Sequence, residues 1–119
     1  MPEPFIIDRL QWIQESVQSI KKYFKSINSA KDFNSSLGAM AYDAVLMRLQ
    51  VIGENIKTID KHSPDLFNSI QYEVSSIIRF REIISHHYER LDTELVFEIC
   101  PNYIPRFKQQ IEELLTYNK

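Results

Sequence analysis

The sequence predicts an all-α protein, an up-and-down helical bundle of four to five helices. The chain of 119 residues contains only two glycines and five prolines, so long stretches hold no residue that breaks a helix. Within those stretches apolar side chains recur every three or four positions, which is the spacing of one buried helix face. The length suits a single helical domain, residues 1–119, whose core needs no disulfide to be stable.

The first two helices follow from this spacing and from residues that favour helix ends. The apolar rhythm predicts helix one over residues 4–26, with Pro4 at its start, where the missing N–H is not needed. Ser29 and Asp32 resemble a capping arrangement, because short polar side chains can bond the exposed N–H groups of a first turn. They predict the start of helix two, which continues to Ile59 and is the longest helix.

The middle of the chain is predicted to turn and then to form helix three. Residues 61–65, with the sequence KHSPD, interrupt the apolar rhythm and are predicted to form the turn. Ser63 and Pro64 are suited to be the N-cap and the first residue of helix three, which extends towards Tyr88.

Capping residues and prolines also define the C-terminal part. Asp92 is suited to cap a short helix four, which Pro101 is predicted to end, and the last helix is predicted over residues 103–117. Gly38 and Gly53 lie inside helix two and predict a bend or a close contact with another helix.

Composition limits the possible functions. The net charge of −2 gives no global electrostatic reason to bind nucleic acid, so any anion site has to be local. The single cysteine, Cys100, excludes an intramolecular disulfide and a thiolate-rich metal site, and it favours a reducing compartment. We find no signal peptide, no stretch long and apolar enough to cross a membrane, and no metal or cofactor motif, so we expect a cytoplasmic protein without a cofactor.

The stretch RFREIISHHYERLD, residues 79–92, concentrates the groups that act on phosphodiesters. RNA can be cut without a metal when its 2′-OH attacks the adjacent phosphorus, which requires a base and an acid. Histidine suits both tasks because its pKa lies near ~6.5, and arginine stabilises phosphoryl charge through paired hydrogen bonds. The alternative is structural, because Arg and His are also favoured at the negative C-terminal end of a helix. Helix geometry leaves both interpretations open.

The spacing of Arg81, His86 and Tyr88 reads as R-x4-H-x-Y, which resembles the signature of HepT-like toxins, a branch of the HEPN superfamily of helical ribonucleases. The similarity extends over nearly the whole chain. It includes the stretches YFKSINSAKDF, DAVLMRLQVIGENIKTI and HHYERLDTELVFEI.

The resemblance implies a function and a site. Arg81 and His86 would be the catalytic pair of a metal-independent endoribonuclease, the toxin of a toxin–antitoxin pair with RNA as its substrate. Tyr88 would be the residue that a minimal nucleotidyltransferase antitoxin can modify with AMP (AMPylation), which silences the toxin. The chain would form a homodimer in which two R-x4-H motifs line one cleft.

Four further residues are possible supporting members of the site. Arg79 and His87 allow other pairings, Arg79 with His86 or Arg81 with His87. Glu82 stands where the family usually has a small polar residue; it could repel phosphates, occupy Arg81, or raise the basicity of a histidine. Glu54 could orient Arg81 or contact a partner, although a structural hydrogen bond near helix three is the simpler interpretation. Glu82 also supports a rival function, a catalytically inert helical partner of a nucleotidyltransferase.

Overall fold

The computed structural model describes residues 3–118, which form five α-helices and no strand. The helices are α1 (Pro4–Tyr23), α2 (Ser36–His62), α3 (Gln71–His87), α4 (Thr93–Asn102) and α5 (Ile104–Asn118). Short 3₁₀ turns lie at Phe24–Ser26, Ala30–Asn34, Asn68–Ile70 and Tyr88–Arg90. The predicted all-α fold is therefore confirmed, and α2 is the longest of these helices.

One apolar core joins all five helices. Helix α2 packs between α1 and α3, and α5 packs on α1 and α4. The helices bury the apolar faces that the sequence spacing predicts. Side chains that are fully buried include Leu10, Ile13, Ile20, Ile52, Ile56, Ile59, Phe67, Ile84 and Ile111.

Helix two begins later than the sequence predicts. Ser29 and Asp32 do form the expected capping box, but the box starts only the 3₁₀ turn Ala30–Asn34. The backbone is then extended at Ser35, whose Oγ accepts a hydrogen bond from the Gly38 N–H at 2.9 Å and caps α2. A Cβ at Gly38 would lie 1.6 Å from the Asp32 carbonyl oxygen, so this glycine allows the turn to fold against the helix.

The turn before helix three is also placed differently from the prediction. Helix α2 continues through His62, and Ser63 ends it by donating its N–H to the Ile59 carbonyl at 2.7 Å. Ser63 and Pro64 therefore do not start helix three, which begins at Gln71. Phe67 explains the difference, because its fully buried ring holds the connecting segment against the core.

The C-terminal helices follow the prediction except at one proline. Asp92 caps α4 by accepting a hydrogen bond from the Glu94 N–H at 2.9 Å, as the sequence predicts. Pro101 does not end α4, which includes it and reaches Asn102. Its neighbour Cys100 is buried, and burial raises the pKa of its thiol to about 12.

A groove of about 520 Å³ lies between α3 on one side and α4 and α5 on the other. Its walls are mainly apolar, and Ile77 and Phe80 of α3 face Ile99 and Phe107 across it. Within residues 3–118, no helix is both long and apolar enough to cross a membrane.

Candidate functional site

The candidate site begins where Arg81 of α3 crosses Gly53 of α2. A Cβ at Gly53 would lie 2.4 Å from the Cβ and 2.7 Å from the Cγ of Arg81. Because glycine has no side chain there, the arginine can lie against the α2 backbone, and its side chain is only 23 % exposed. The close helix contact predicted at Gly53 is thus confirmed.

Two carboxylates bind the guanidinium of Arg81. Nη2 forms an ion pair with Glu54 Oε2 at 2.5 Å, and Nη1 donates a hydrogen bond to Glu82 Oε1 at 3.0 Å. Nε is buried and has no hydrogen-bond partner within the described residues. Glu54 of α2 therefore contacts Arg81 of α3 directly, through an ion pair.

Glu82 also contacts two other groups. Its Oε1 lies 3.6 Å from Lys57 Nζ of α2, and its Oε2 lies 3.3 Å from His86 Nε2, one helical turn later. Partial burial acts to raise the pKa of the Glu82 carboxyl. The charge of Lys57, the hydrogen bond and charge of Arg81, and the charge of His86 outweigh that effect and lower the pKa below its ordinary value.

Glu82 thereby connects the two residues of the predicted pair. Arg81 and His86 are five positions apart, roughly 140° around a regular helix, so they do not share a helix face. Glu82 is adjacent to Arg81 and four residues before His86, and its two oxygens reach both side chains. We name Glu54, Lys57, Arg81, Glu82 and His86 the Arg81 cluster.

The exposure of the two predicted catalytic side chains differs. Arg81 is mostly covered, whereas the His86 side chain is 69 % exposed at the last turn of α3. Arg79 and His87 are exposed on the same helix and form no ion pair or hydrogen bond with the part of the chain that the structure describes. The structure thus brings Arg81 and His86 into one cluster and leaves Arg79 and His87 outside it.

Tyr88 lies just beyond α3, in the turn Tyr88–Arg90. Its hydroxyl donates a hydrogen bond to Asp43 Oδ1 of α2 at 2.8 Å. This bond, followed by partial burial and the charge of Asp43, raises the pKa of the Tyr88 phenol above its ordinary value. The side chain remains about half exposed at 49 %.

Sequence reasoning missed Lys57 and Asp43. Lys57 follows Glu54 by three positions, a spacing that places both side chains on neighbouring parts of one helix surface. Once Gly53 is recognised as the contact with helix three, this spacing indicates that Lys57 lies near the contact. No comparable signal identifies Asp43, because its partner lies 45 residues away in the sequence.

No group of three or more His, Cys, Asp and Glu side chains within the described chain is arranged to hold a metal ion. What the Arg81 cluster offers instead is an imidazole, a guanidinium and an ammonium that each lie within 3.6 Å of the Glu82 carboxylate. These are the groups that exchange protons with phosphodiester oxygens and stabilise their charge.

The helical fold and the R-x4-H cluster agree with the class that the resemblance predicts, a HEPN-type helical protein. Residues 13–114 match the family model described as Ribonuclease HepT-like, and the chain belongs to this family.

Three curated relatives come from Methanocaldococcus jannaschii. "Gamma-glutamylcyclotransferase and putative RNase MJ0434" is 28 % identical over 106 residues, which cover 89 % of this chain and 46 % of that protein. "Putative RNase MJ0127" is 28 % identical over 72 residues, covering 60 % of this chain and 58 % of that protein. "Putative RNase MJ1380" is 25 % identical over 100 residues, covering 84 % and 87 %.

The chain spans about half the length of the first two of these relatives. No solved structure shows a significant match to the chain.

Proposed function

We propose that the chain is a metal-independent endoribonuclease, the toxin of a toxin–antitoxin pair, with Arg81 and His86 as its catalytic residues. The observation that supports this most is the Arg81 cluster. In it, the carboxylate of Glu82 contacts both the guanidinium of Arg81 and the exposed imidazole of His86. Membership of the HepT-like family and relatives named as RNases give independent support.

The proposed reaction is an internal transfer. The ribose O2′ bonds to the adjacent phosphorus as the P–O5′ bond breaks. The O2′ proton passes to His86, O5′ takes up a proton from water, and His86 then releases its proton to solvent. Arg81 stabilises the charge that develops on the non-bridging oxygens. The products are a 2′,3′-cyclic phosphate and a free 5′-OH, and no oxidant, reductant or second substrate is consumed.

We also propose that two copies assemble with residues 79–92 of each chain lining one cleft. The chain is slightly acidic, and a dimer would concentrate Arg79, Arg81 and Arg90 from two copies in one place. Exposed apolar side chains adjoin this region. Met40 and Met47 are 68 % and 61 % exposed, and each lies one helical turn from Asp43, the partner of Tyr88.

The proposed assembly is tested by light scattering at tens of micromolar. The wild-type protein should have the mass of two chains, and Met40→Glu with Met47→Glu should yield monomers that keep their helical circular dichroism. A monomeric wild-type protein would contradict the dimer.

The proposed partner is a nucleotidyltransferase that attaches AMP to the Tyr88 oxygen. This oxygen is near the surface, and its proton is already directed at Asp43. Tyr88→Phe should abolish AMP attachment by the proposed nucleotidyltransferase and leave RNA cleavage largely intact, because only the phenolic oxygen can accept the nucleotide. Attachment that persists in Tyr88→Phe would place the modification elsewhere.

The catalytic proposal is tested by incubating the purified protein with total RNA in the presence of EDTA. Arg81→Ala and His86→Ala should each lower cleavage by roughly 10²-fold, the usual effect of losing a charge-stabilising or acid–base group. His87→Ala is the matched substitution for His86→Ala and should change cleavage far less. Cleavage that disappears in EDTA, or that survives His86→Ala, contradicts the proposed mechanism.

One observation favours a second candidate function, a catalytically inert partner of the nucleotidyltransferase. Both terminal nitrogens of Arg81 already face carboxylates of the same chain, Glu54 and Glu82. If wild-type protein binds the enzyme but cuts no RNA at any pH, and Glu82→Asn gains activity, this second function is the correct one.

A further inference from the structure

The carboxylate of Glu82 is the point at which three phosphate-binding groups from two helices meet. Lys57 Nζ of α2 lies 3.6 Å and Arg81 Nη1 of α3 lies 3.0 Å from Oε1, and His86 Nε2 lies 3.3 Å from Oε2. A carboxylate in such a position is a chemical substitute for another anion with two equivalent oxygens.

We propose that Glu82 occupies the phosphate subsite of the Arg81 cluster, and that Lys57 is a phosphate-binding residue, so a phosphodiester of RNA binds by displacing the Glu82 carboxylate. This inference rests on the proposed function and adds to it a third cationic group and an internal competitor.

The chemistry of the two anions supports the substitution. A phosphodiester shares one negative charge between two non-bridging oxygens, as a carboxylate does between its two oxygens, and Arg and Lys bind both. The oxygen position that faces Lys57 and Arg81 suits a non-bridging oxygen, whose charge grows during the reaction. The position that faces His86 suits the second non-bridging oxygen, which brings the phosphodiester next to the imidazole.

The two carboxylates around Arg81 have different roles in this account. Glu54 binds Nη2 and Glu82 binds Nη1, so the guanidinium keeps one partner when Glu82 leaves. The Cβ and Cγ of Arg81 also pack against the α2 backbone at Gly53. Arg81 therefore remains positioned while its Nη1 becomes available to a phosphate.

Displacement of Glu82 breaks one contact that solvent screens and exchanges another for a phosphate. The side chains of Glu82 and Lys57 are 39 % and 55 % exposed, whereas Arg81, which is 23 % exposed, replaces one anion by another. Ion pairs between exposed side chains shift an equilibrium by less than about tenfold, because water and salt screen them. A phosphate that gains contacts to Lys57 and Arg81 together can compete with that.

Displacement also changes the charge of the site. With Glu82 in contact, its charge and that of Glu54 balance Lys57 and Arg81 when His86 is neutral. With the carboxylate rotated into solvent, the groups that remain around the subsite carry one net positive charge. With His86 neutral, the subsite is therefore cationic only when Glu82 is away from it.

A purely structural role of Glu82 makes the opposite prediction. Glu82 and His86 form an i, i+4 pair, which stabilises a helix slightly. If that were its only role, Glu82→Gln would loosen the end of α3 and leave RNA binding unchanged or weaker. A competitor for the phosphate subsite must instead weaken binding while it is present.

The experiment measures binding of a fully 2′-O-methylated RNA oligonucleotide, which cannot be cut because its O2′ is blocked. Fluorescence anisotropy compares wild type with Glu82→Gln and Lys57→Gln. The matched controls are Glu15→Gln on the exposed side of α1 and Lys61→Gln, one turn beyond Lys57 on α2. Circular dichroism verifies that each variant is folded.

Glu82→Gln should bind the oligonucleotide about tenfold more tightly, since a repelling charge is removed and two cations are released. Lys57→Gln should bind several-fold more weakly and reduce the salt slope of log K by roughly 0.7, the value for one lost phosphate contact on a single strand. Glu15→Gln and Lys61→Gln should shift affinity by less than about twofold.

Three outcomes overturn the proposal: no gain of affinity in folded Glu82→Gln, a Lys57→Gln variant that behaves like Lys61→Gln, or no binding by Glu82→Gln at all. The proposed function fails separately. If Glu82 and Lys57 govern binding as expected but unmodified RNA is never cut, the proposal of the phosphate subsite is retained and the proposal of a ribonuclease is rejected. If RNA is cut in a His86-dependent way while both substitutions leave binding unchanged, the nuclease stands and the subsite does not.

Discussion

Two surfaces of α3 differ in how tightly they pack against neighbouring helices. On the side that meets α2, Arg81 lies against Gly53 and Ile84 is fully buried, so the helices touch closely. On the adjoining surface of the helix, which faces α4 and α5, Ile77 and Phe80 are only half-buried and line the groove of about 520 Å³ that separates α3 from α4 and α5. One helix thus has a closed face and an open face.

This difference explains how the charged Arg81 cluster is held in place on α3. The closed face prevents α3 from rotating about its axis or sliding along α2, because side chains there have no free space to move into. Arg81 is consequently held in place by packing as well as by its carboxylates. The open face contributes little to that constraint.

The largest expected difference between the two faces is in the free energy of unfolding that is lost when one isoleucine on each face is replaced by alanine. Ile84→Ala should lower the free energy of unfolding by about 2–5 kcal/mol, because it leaves an enclosed cavity in the core. Ile77→Ala should lower it by about 1 kcal/mol, because Ile77 is half-exposed and its removal only widens a groove. Urea unfolding followed by circular dichroism measures both.

Equal losses for the two variants would show that the groove is closed in solution and that α3 has no open face. Refolding each variant from urea verifies that both transitions are reversible.

The closed face was the more predictable of the two from the sequence. The three-to-four residue spacing identifies the core residues of each helix, and Gly53 within a long helix indicates a close contact. The groove was not predictable, because spacing shows which side chains are apolar and not how far apart two helices stand. The start of helix three was misplaced for a similar reason: Ser63 and Pro64 favour a helix start locally, but burial of Phe67 prevails.

The site was predictable in its motif and not in its contacts. The spacing of Arg81 and His86 can be read from the sequence, together with Glu82 as a residue that could occupy Arg81. Helix periodicity alone places Arg81 and His86 on different faces. The contacts by which Glu82 links them are visible only in the three-dimensional structure. Lys57 comes from another helix, and only its spacing from Gly53 and Glu54 indicates that it lies near the contact.

The second prediction adds the same side chain to each face. Gly53→Leu should lower the free energy of unfolding by about 1–3 kcal/mol, because the new side chain must displace Arg81 from the α2 backbone. Ser76→Leu should change it by no more than about 0.5 kcal/mol, because Ser76 is exposed at the groove and leucine has space there. Urea unfolding again gives both values.

The RNA cleavage assay sharpens this comparison. Gly53→Leu should lose activity along with Arg81→Ala, whereas Ser76→Leu should keep it. A stable, active Gly53→Leu variant would mean that the contact of α2 with α3 does not position Arg81.

The smallest expected effect is the pH dependence of stability contributed by Glu82 on the closed face. Lys57, Arg81 and His86 face this carboxylate, and together they lower its pKa against the opposing effect of burial. These partners separate on unfolding, so the carboxyl then titrates at its ordinary value. A carboxyl whose pKa is lower in the folded state stabilises that state when it is ionised, and the contribution is lost as pH falls through the lowered value.

The difference in stability between wild type and Glu82→Gln should therefore be present at pH 7, begin to decline near pH ~4, the ordinary pKa of glutamate, and be lost as the pH falls through the lowered pKa of the folded state. It should also shrink in ~1 M salt, where the charges are screened over about 3 Å. A double-mutant cycle with Lys57→Gln at both pH values isolates the pair, since any coupling between Lys57 and Glu82 must follow the ionisation of the carboxyl. A coupling that is the same at pH 7 and at pH 3 would show that the two side chains interact through something other than charge, and the assignment of Lys57 to the Arg81 cluster would have to be withdrawn.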